Sequence, residues 1–281
     1  MSKSVNAPAF RELTALQKSD RMPVLFLGHG SPMNAIQDNE YRRSWQALGA
    51  QFGSQLPRPQ LILCISAHWL TAGWQLTGMK QPRTIHDFGG FPQELFDQRY
   101  PAPGHPEAAQ QISEALAPPP IGLDRQDWGL DHGAWSVLKP MFPEADIPVV
   151  QLSMDYAQAP AAHFALGRRL RGLRERGVLI VGSGNIVHNL RAARSGSRSN
   201  EAYDWAVEFD GEIAGRIEKG DLVGLADFQK LGALAQLAHP TYDHYLPLLH
   251  AAGAVEAGEP VRFFNENYQL GSISMRSAMW G

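Results

Sequence analysis

The sequence predicts one three-layer α/β/α domain with a central mixed, largely parallel sheet. Short apolar runs alternate with longer segments of helical periodicity through most of the chain, which is typical of α/β proteins. The 281 residues are 44% hydrophobic and 19% charged, as in a globular chain that buries a substantial core. No repeat or low-complexity tract divides the sequence. We therefore expect residues 1–20 to form an N-terminal extension and residues 21–281 to form a single domain.

The buried strands are predicted from apolar runs that are shorter than typical helices and close at small residues or histidine. These runs are residues 22–27, 60–67, 147–153 and 177–183. Their continuous apolar character, without alternation, indicates strands that are covered on both faces. Residues 261–264 and 269–275 are expected to close the sheet.

The helices are predicted from apolar residues that recur at helical spacing. They cover residues 39–52, 106–116, a segment that begins near 134, 159–176, two helices within 200–237, and a last helix after residue 244. The two helices within 200–237 are expected to break near Gly220. Asp243 or Thr241 is expected to cap the last helix. Residues 81–105 have no clear period and are long for a connector, which indicates a functional loop or lid.

Charge and cysteine content exclude several classes of protein. The net charge of −3 and the pI of about 6.4 do not favour binding to nucleic acid. No apolar stretch approaches the length of a membrane span, and the N-terminus lacks the apolar centre of a signal peptide. The single cysteine, Cys64, excludes an internal disulfide and is expected to be a buried thiol. We expect a cytoplasmic, soluble protein whose oligomeric state the sequence does not define.

Three of the apolar strands are followed within a few residues by a histidine: His29, His68 and His188. Ligands of open α/β sheets bind beyond the carboxyl ends of the strands, so these imidazoles are expected to converge. Neutral imidazole is a common ligand of zinc, iron, copper and nickel. His244, which precedes the last helix, could complete a metal site. Each of the four could instead be a hydrogen-bonded structural histidine or a surface histidine.

Two further histidines lie next to carboxylates in loops. His132 follows Asp131 before a helix, and His86 precedes Asp87 in the glycine-rich loop. An imidazole beside a carboxylate can act as a general acid or base. The alternative for the first pair is a loop histidine beside a carboxylate that caps the helix, and the second pair has the same ambiguity.

Six motifs in a fixed order resemble a known family. They are Gly28-His29-Gly30-Ser31-Pro32, Ser66-Ala67-His68-Trp69, His86-Asp87-Phe88-Gly89-Gly90-Phe91-Pro92, Asp131-His132-Gly133-Ala134-Trp135, Gly184-Asn185-Ile186-Val187-His188-Asn189-Leu190 and His244-Tyr245-Leu246-Pro247-Leu248. Together they resemble the DOPA 4,5-dioxygenase (YgiD-like) branch of the class III, LigB-type, extradiol ring-cleavage dioxygenases. The resemblance runs from about Arg21 to Gly281.

This resemblance implies opening of a catechol ring by O₂ outside its two hydroxyls, with both oxygen atoms incorporated. For DOPA-like substrates it implies 4,5-cleavage. The implied metal ligands are His29, His68, His188 and His244, of which the last replaces a glutamate of many class III enzymes. The implied cofactor is Fe(II), and Zn(II) can occupy the same site. The expected partners are a catechol-type substrate and O₂, with no nucleic acid and no membrane.

The same resemblance assigns the remaining site residues. His132 and His188 are the implied acid or base residues, and His188 is either a ligand or a proton-transfer residue. His86 and Asp87 are expected to bind substrate from the loop over the site. Two alternatives remain at this stage, a zinc-dependent hydrolase or lyase on the same scaffold and a non-catalytic binding protein. An all-histidine donor set also suits Zn(II), which has no redox chemistry.

Overall fold

A computed structural model describes Phe10 and residues 13–281. Its strands are β1 (Val24–Gly28), β2 (Leu61–Thr71), β3 (Trp74–Thr77), β4 (Arg83–Thr84), β5 (Ile121–Asp124), β6 (Gly129–Leu130), β7 (Val149–Asp155), β8 (Val178–Gly184), β9 (Val261–Phe264), β10 (Tyr268–Gln269), β11 (Ile273–Ser274) and β12 (Ser277–Trp280). Its helices are α1 (Glu40–Gly49), α2 (Gln93–Phe96), α3 (Pro106–Ala115), α4 (His132–Met141), α5 (Pro160–Leu170), α6 (Asp204–Glu218), α7 (Ala233–Ala238) and α8 (Leu246–Gly253).

The central sheet of the described residues has eight strands in the order β5-β3-β7-β2-β8-β1-β12-β9. Its inner strands β7, β2, β8 and β1 pair in parallel, as do β3 and β5. The β3–β7, β1–β12 and β12–β9 pairs are antiparallel. The prediction of a mixed, largely parallel sheet is therefore confirmed.

Alternating side chains of each inner strand enter two separate cores. In β1, Val24 and Phe26 pack into one core and Leu25 and Leu27 into the other. The first core lies under α3, α5, α6 and α8, and the second lies under α1 and α4. Burial of both faces explains the continuous apolar runs. The predicted three-layer arrangement is confirmed, and the Cys64 thiol is buried in the second core.

The parallel register aligns the carboxyl ends of the inner strands. Gly28 at the end of β1 lies opposite Gly184 at the end of β8. The backbone amide of Asn185 donates to the carbonyl oxygen of His244 at 2.9 Å. A Cβ atom at Gly184 would collide with that same carbonyl oxygen, so the close approach requires glycine. The chain before α8 is thereby drawn to the strand ends.

Several elements differ from the sequence prediction. Residues 269–275 do not form the single strand that was expected. They contain the end of β10, a tight turn with Gly271 at φ 71°, and β11, which pairs with β10; β12 follows. Strands β3 and β5 were not predicted, because each is short and only part of its side chains is buried. The break expected near Gly220 is confirmed by its φ of 72°. The 3-10 helices Arg171–Arg176 and Gly224–Leu231 replace parts of predicted α-helices.

The expected N-terminal extension lies partly outside the described residues. Within its described part, Phe10, Leu13 and Leu16 are buried in the core beneath α3 and α5. Among the helices formed by Phe10 and residues 13–281, none is long and apolar enough to cross a lipid bilayer.

The contact between α1 and α4 leaves no space for a methyl group at Gly49, because its Cβ would collide with the backbone of Met141. We expect Gly49→Ala to lower the free energy of unfolding by about 1–3 kcal/mol, measured by urea denaturation. Gly211→Ala is the matched control, since a Cβ on this exposed position of α6 meets nothing within 4 Å. The control should stabilise the protein by about 0.5–1 kcal/mol. Equal effects of the two substitutions would contradict this account of the α1–α4 contact.

Candidate metal centre and active site

Three imidazoles meet at the carboxyl edge of the sheet. His29 follows β1, His68 lies within β2, and His244 precedes α8. One nitrogen of each lies within 4.8 Å of the others, and the Nε2 atoms of His29 and His68 are 3.3 Å apart. The β2–β7 pairing is irregular between Ile65 and Leu70, and such irregularities re-aim side chains near sites. This explains how a residue inside a strand reaches the site.

Each of the three rings has its Nδ1 atom held by an outer partner. Nδ1 of His29 lies 3.1 Å from Oγ of Ser183, and that hydroxyl already donates to the carbonyl oxygen of Gly133. The hydroxyl must therefore accept the proton of His29 Nδ1.

The other two rings are held by carboxylates. Nδ1 of His68 lies 3.3 Å from Oδ2 of Asp87, and Nδ1 of His244 contacts Oδ2 of Asp243. A carboxylate beside Nδ1 favours a proton on that nitrogen, which leaves Nε2 free to bind a metal.

The donor set suits a divalent transition metal. Burial lowers the pKa of His29 and His244 well below 6.5, and neighbouring imidazoles lower both further. Burial and the adjacent His132 lower the pKa of His68 to about 3. Metal binding requires neutral imidazoles, and all three rings are neutral at physiological pH. Buried nitrogen lone pairs that face one another fit a cation between them.

His132 is the first residue of α4, and its carboxylate partner is Asp87. Nδ1 of His132 donates to Oδ1 of Asp87 at 2.9 Å, and its backbone amide donates to the same oxygen at 3.0 Å. The His132 ring centroid lies 3.9 Å from that of His68. Sequence adjacency suggested Asp131 as the partner, and the structure instead supplies a carboxylate from 45 residues away.

The pKa values of the two carboxylates near His132 are shifted in opposite directions. Burial favours the protonated form of Asp87, but the hydrogen bonds from the ring and backbone amide of His132, with electrostatic interaction with His132 and His68, outweigh it and hold its pKa at about 2. Burial raises the pKa of Asp131, and the charge of Asp87 raises it further. Asp131 caps α4 through the amide of Ala134 and accepts a hydrogen bond from Ser66 at 2.6 Å. The capping alternative therefore describes Asp131, while His132 faces the imidazole cluster.

His188 packs against the imidazole cluster without joining its inner set. Its ring stacks on that of His244 with centroids 3.4 Å apart and planes inclined by 4°. Burial lowers the pKa of His188 to about 4. Among the described residues, the sets whose ligand atoms all lie within 4.8 Å are His29, His68 and His244, and His68, Asp87 and His132. The role of His188, as a metal ligand or as a proton-transfer residue, stays a prediction.

His86 anchors the glycine-rich loop. Its Nε2 lies 3.0 Å from the carbonyl oxygen of Gln98, and its ring contacts Phe88, Phe96 and Trp135. Phe88 in turn packs edge-on against His132, with ring centroids 5.5 Å apart. The loop therefore forms an aromatic wall beside the imidazoles. Contact of His86 with substrate stays a prediction.

Sequence reasoning missed the outer partners Ser183 and Asp243. The expectation that Asp243 or Thr241 caps the last helix is wrong, because α8 has no side-chain cap and Asp243 contacts His244 instead. Its position next to a candidate ligand was the available signal. No local signal marked Ser183, because its contact with His29 joins two strand ends that are 154 residues apart.

Comparison with known proteins identifies the family. Residues 23–278 match the family described as the catalytic LigB subunit of aromatic ring-opening dioxygenase. The chain belongs to the LigB family. A relative named 4,5-DOPA dioxygenase extradiol, from Escherichia coli K12, is 48% identical over 272 residues, which cover 95% of this chain and 97% of that protein. A relative of the same name from Beta vulgaris is 35% identical, covering 90% of this chain and 94% of that protein.

A solved structure agrees with this assignment. The crystal structure of an uncharacterized protein from Escherichia coli K12 superposes with a TM-score of 0.79 at 43% identity. The match covers 93% of this chain and all of that one. The predicted LigB-type fold and ring-opening dioxygenase class are confirmed. Enzymes of the LigB family depend on a metal, and the histidine and aspartate cluster supplies suitable ligands.

Burial of neutral histidines makes the stability of the metal-free protein depend on pH. The pKa of His239 is lowered from 6.5 to about 4, mainly by burial, so the unfolded chain binds more protons than the folded chain between these values. The free energy of unfolding should fall as the pH falls from 6.5 to about 4.

Urea denaturation in the presence of a chelator measures this dependence. His239→Gln should reduce the slope by up to one proton, about 1.4 kcal/mol per pH unit. A free energy of unfolding that stays constant between pH 6.5 and 4 would contradict the neutral state of the buried histidines.

Proposed function

We propose that this LigB-family enzyme opens the ring of a DOPA-like catechol with O₂ by 4,5-cleavage, with Fe(II) as its metal. The observation that carries this proposal is the set of three neutral imidazoles, two buried and one (His68) half-buried, each with an outer partner at Nδ1. The substrate class is supported by the names of the relatives from Escherichia coli and Beta vulgaris. Catechol and O₂ are therefore the proposed substrates.

Iron is proposed because the reaction needs a redox-active metal. His29, His68 and His244 would hold Fe(II), which would supply the redox chemistry that O₂ activation needs. Zn(II) fits the same nitrogen donors but has no redox chemistry. Identification of the native metal is therefore also a test of the proposed reaction.

Two histidines beside the proposed ligands can move protons. The Nδ1 atom of His132 is committed to Asp87, so Nε2 carries the lone pair that can accept a catechol proton. His188 is neutral at physiological pH, because its pKa is about 4, and it can also accept a proton. We propose His132 as the base that deprotonates catechol and His188 as a second proton-transfer residue, with coordination to the metal as the alternative for His188.

The loop over the site is proposed to enclose the substrate. Phe88 lines the side of His132, and the bond between His86 and Gln98 fixes the loop beside it. Apolar rings at this position would exclude water and pack against a planar substrate. Substrate contact by His86 belongs to this part of the proposal.

Metal reconstitution tests the reaction class. Metal-stripped protein should consume O₂ with L-DOPA and form a yellow ring-opened product after loading with Fe(II), and should consume none after loading with Zn(II). The metal is loaded under anaerobic conditions, and O₂ uptake and product absorbance are then measured in air. Turnover of a substrate by the zinc form without O₂ would replace this proposal with the zinc hydrolase or lyase alternative.

Removal of a proposed ligand should remove the metal. His29→Ala is expected to lower bound iron well below one equivalent and to abolish O₂ uptake, because one of three nitrogen donors is lost. Metal analysis after gel filtration measures the change. His105→Gln is a matched control, because His105 caps α3 through the amide of Ala108 and is not one of the proposed ligands. Retention of both metal and full turnover by the His29 variant would contradict the ligand assignment.

Removal of the proposed base should affect turnover and leave the metal in place. His132→Gln is expected to lower kcat by about 10²–10⁴-fold, the usual contribution of a positioned acid or base. Iron content should remain near that of the unsubstituted enzyme, as measured by metal analysis on the same sample. Unchanged kcat and an unchanged pH profile would rule out the assigned role.

A further inference from the structure

We propose that Asp87 is a positioning residue that orients the proposed ligand His68 and the proposed base His132 together. This inference rests on the proposed function and assigns Asp87 a role other than the substrate contact expected from the sequence. Oδ1 of Asp87 accepts from His132, and Oδ2 lies 3.3 Å from Nδ1 of His68. A single carboxylate thus contacts both rings, one through each oxygen.

Asp87 is the hydrogen-bond acceptor of His132 and lies close enough to Nδ1 of His68 to favour a proton there. The backbone amide of His132 can only donate, and it donates to Oδ1 at 3.0 Å. Nδ1 of the same residue lies 2.9 Å from the same oxygen and donates to it as well. The Asp87 side chain is 19% exposed, and both of its oxygens are engaged. Oδ1 accepts both hydrogen bonds of His132, so neither of its lone pairs remains for a substrate.

Asp87 favours a proton on Nδ1 of both His68 and His132, and the proposed reaction needs the protons at these positions. A proton on Nδ1 of His68 leaves a lone pair on Nε2, the atom that faces Nε2 of His29 at 3.3 Å. A proton on Nδ1 of His132 leaves a lone pair on its own Nε2. Asp87 therefore selects the ligating tautomer of one ring and the basic tautomer of the other.

The loop holds Asp87 in place from both sides. Strand β4 pairs with β6, and the amide of Ile85 donates to the carbonyl oxygen of Leu130 at 2.7 Å. Nε1 of Trp135 donates to the carbonyl oxygen of Ile85 at 2.8 Å. His86, next to Asp87, is fixed at Gln98. The carboxylate is thus carried by a braced segment, as a positioning residue requires.

The competing interpretation is a second cation held by His68, Asp87 and His132, whose ligand atoms lie within 4.8 Å of one another. The backbone amide of His132 argues against it, because this donor already points at Oδ1, one of the two oxygens that Asp87 could offer to a cation. The stoichiometry of metal binding separates the two interpretations.

The test is Asp87→Asn, whose amide nitrogen would face one ring as a donor. Cobalt(II) titration of the metal-stripped full chain should show affinity reduced by about 10–100-fold and an altered visible spectrum, the expected cost of losing an outer partner of a ligand. With iron and L-DOPA, kcat should fall more than about tenfold while KM changes less than about twofold. Asp87→Glu should restore part of both losses.

Asp97→Asn is the matched control, because that exposed carboxylate, which directly follows α2, accepts a hydrogen bond from Gln93 at 2.9 Å. It should leave cobalt affinity, spectrum, kcat and KM unchanged. A raised KM with unchanged kcat and cobalt affinity in Asp87→Asn would overturn the proposal in favour of substrate contact. Two cobalt ions in the unsubstituted chain and one in Asp87→Asn would overturn it in favour of a second metal site.

The cobalt measurements separate this inference from the proposed function. They need no catechol and no oxygen, so they test Asp87 even where L-DOPA is not turned over. Absence of turnover by the unsubstituted enzyme would refute the proposed substrate. Unchanged cobalt affinity and spectrum in Asp87→Asn would refute the positioning role.

Discussion

The site depends on keeping several imidazoles uncharged in one buried space. Nitrogen atoms of His29 and His68 that face each other at 3.3 Å would repel strongly if both rings carried a proton charge. Burial disfavours the charged form of each ring, and the outer partners at Nδ1 decide which nitrogen keeps its lone pair. The low pKa values and the metal-binding geometry are therefore two consequences of the same burial.

This burial is a product of the sheet. Apolar strands covered on both faces exclude water up to the point where they end, and their aligned ends place His29 and Ser183 side by side. The irregular pairing beyond Ile65 adds His68, and the glycine at position 184 admits the backbone of His244. The core and the site are thus continuous, with the imidazoles forming the polar boundary of an otherwise apolar interior.

The sequence was sufficient to predict those parts of the fold and the site that depend on local patterns. Apolar runs identified the inner strands, and the histidines that follow them, His29, His68 and His188, do lie at one edge of the sheet. It was insufficient to predict contacts between residues that are far apart in the chain. Asp87 meets His132 because β4 pairs with β6, and neither two-residue strand has a recognisable pattern. Adjacency in sequence favoured Asp131, whose buried side chain instead accepts a hydrogen bond from Ser66.

The main-chain contact between Asn185 and His244 fixes the backbone at position 244 independently of the side chain. The peptide at position 244 is held by a backbone hydrogen bond and by its fit against Gly184, neither of which involves the imidazole. The side chain can therefore change in the course of evolution while the attachment point stays fixed. A carboxylate grafted there would complete a two-histidine, one-carboxylate set on the same scaffold. The proposed ligand at position 244 can thus vary in chemical type, while the backbone that presents it stays the same.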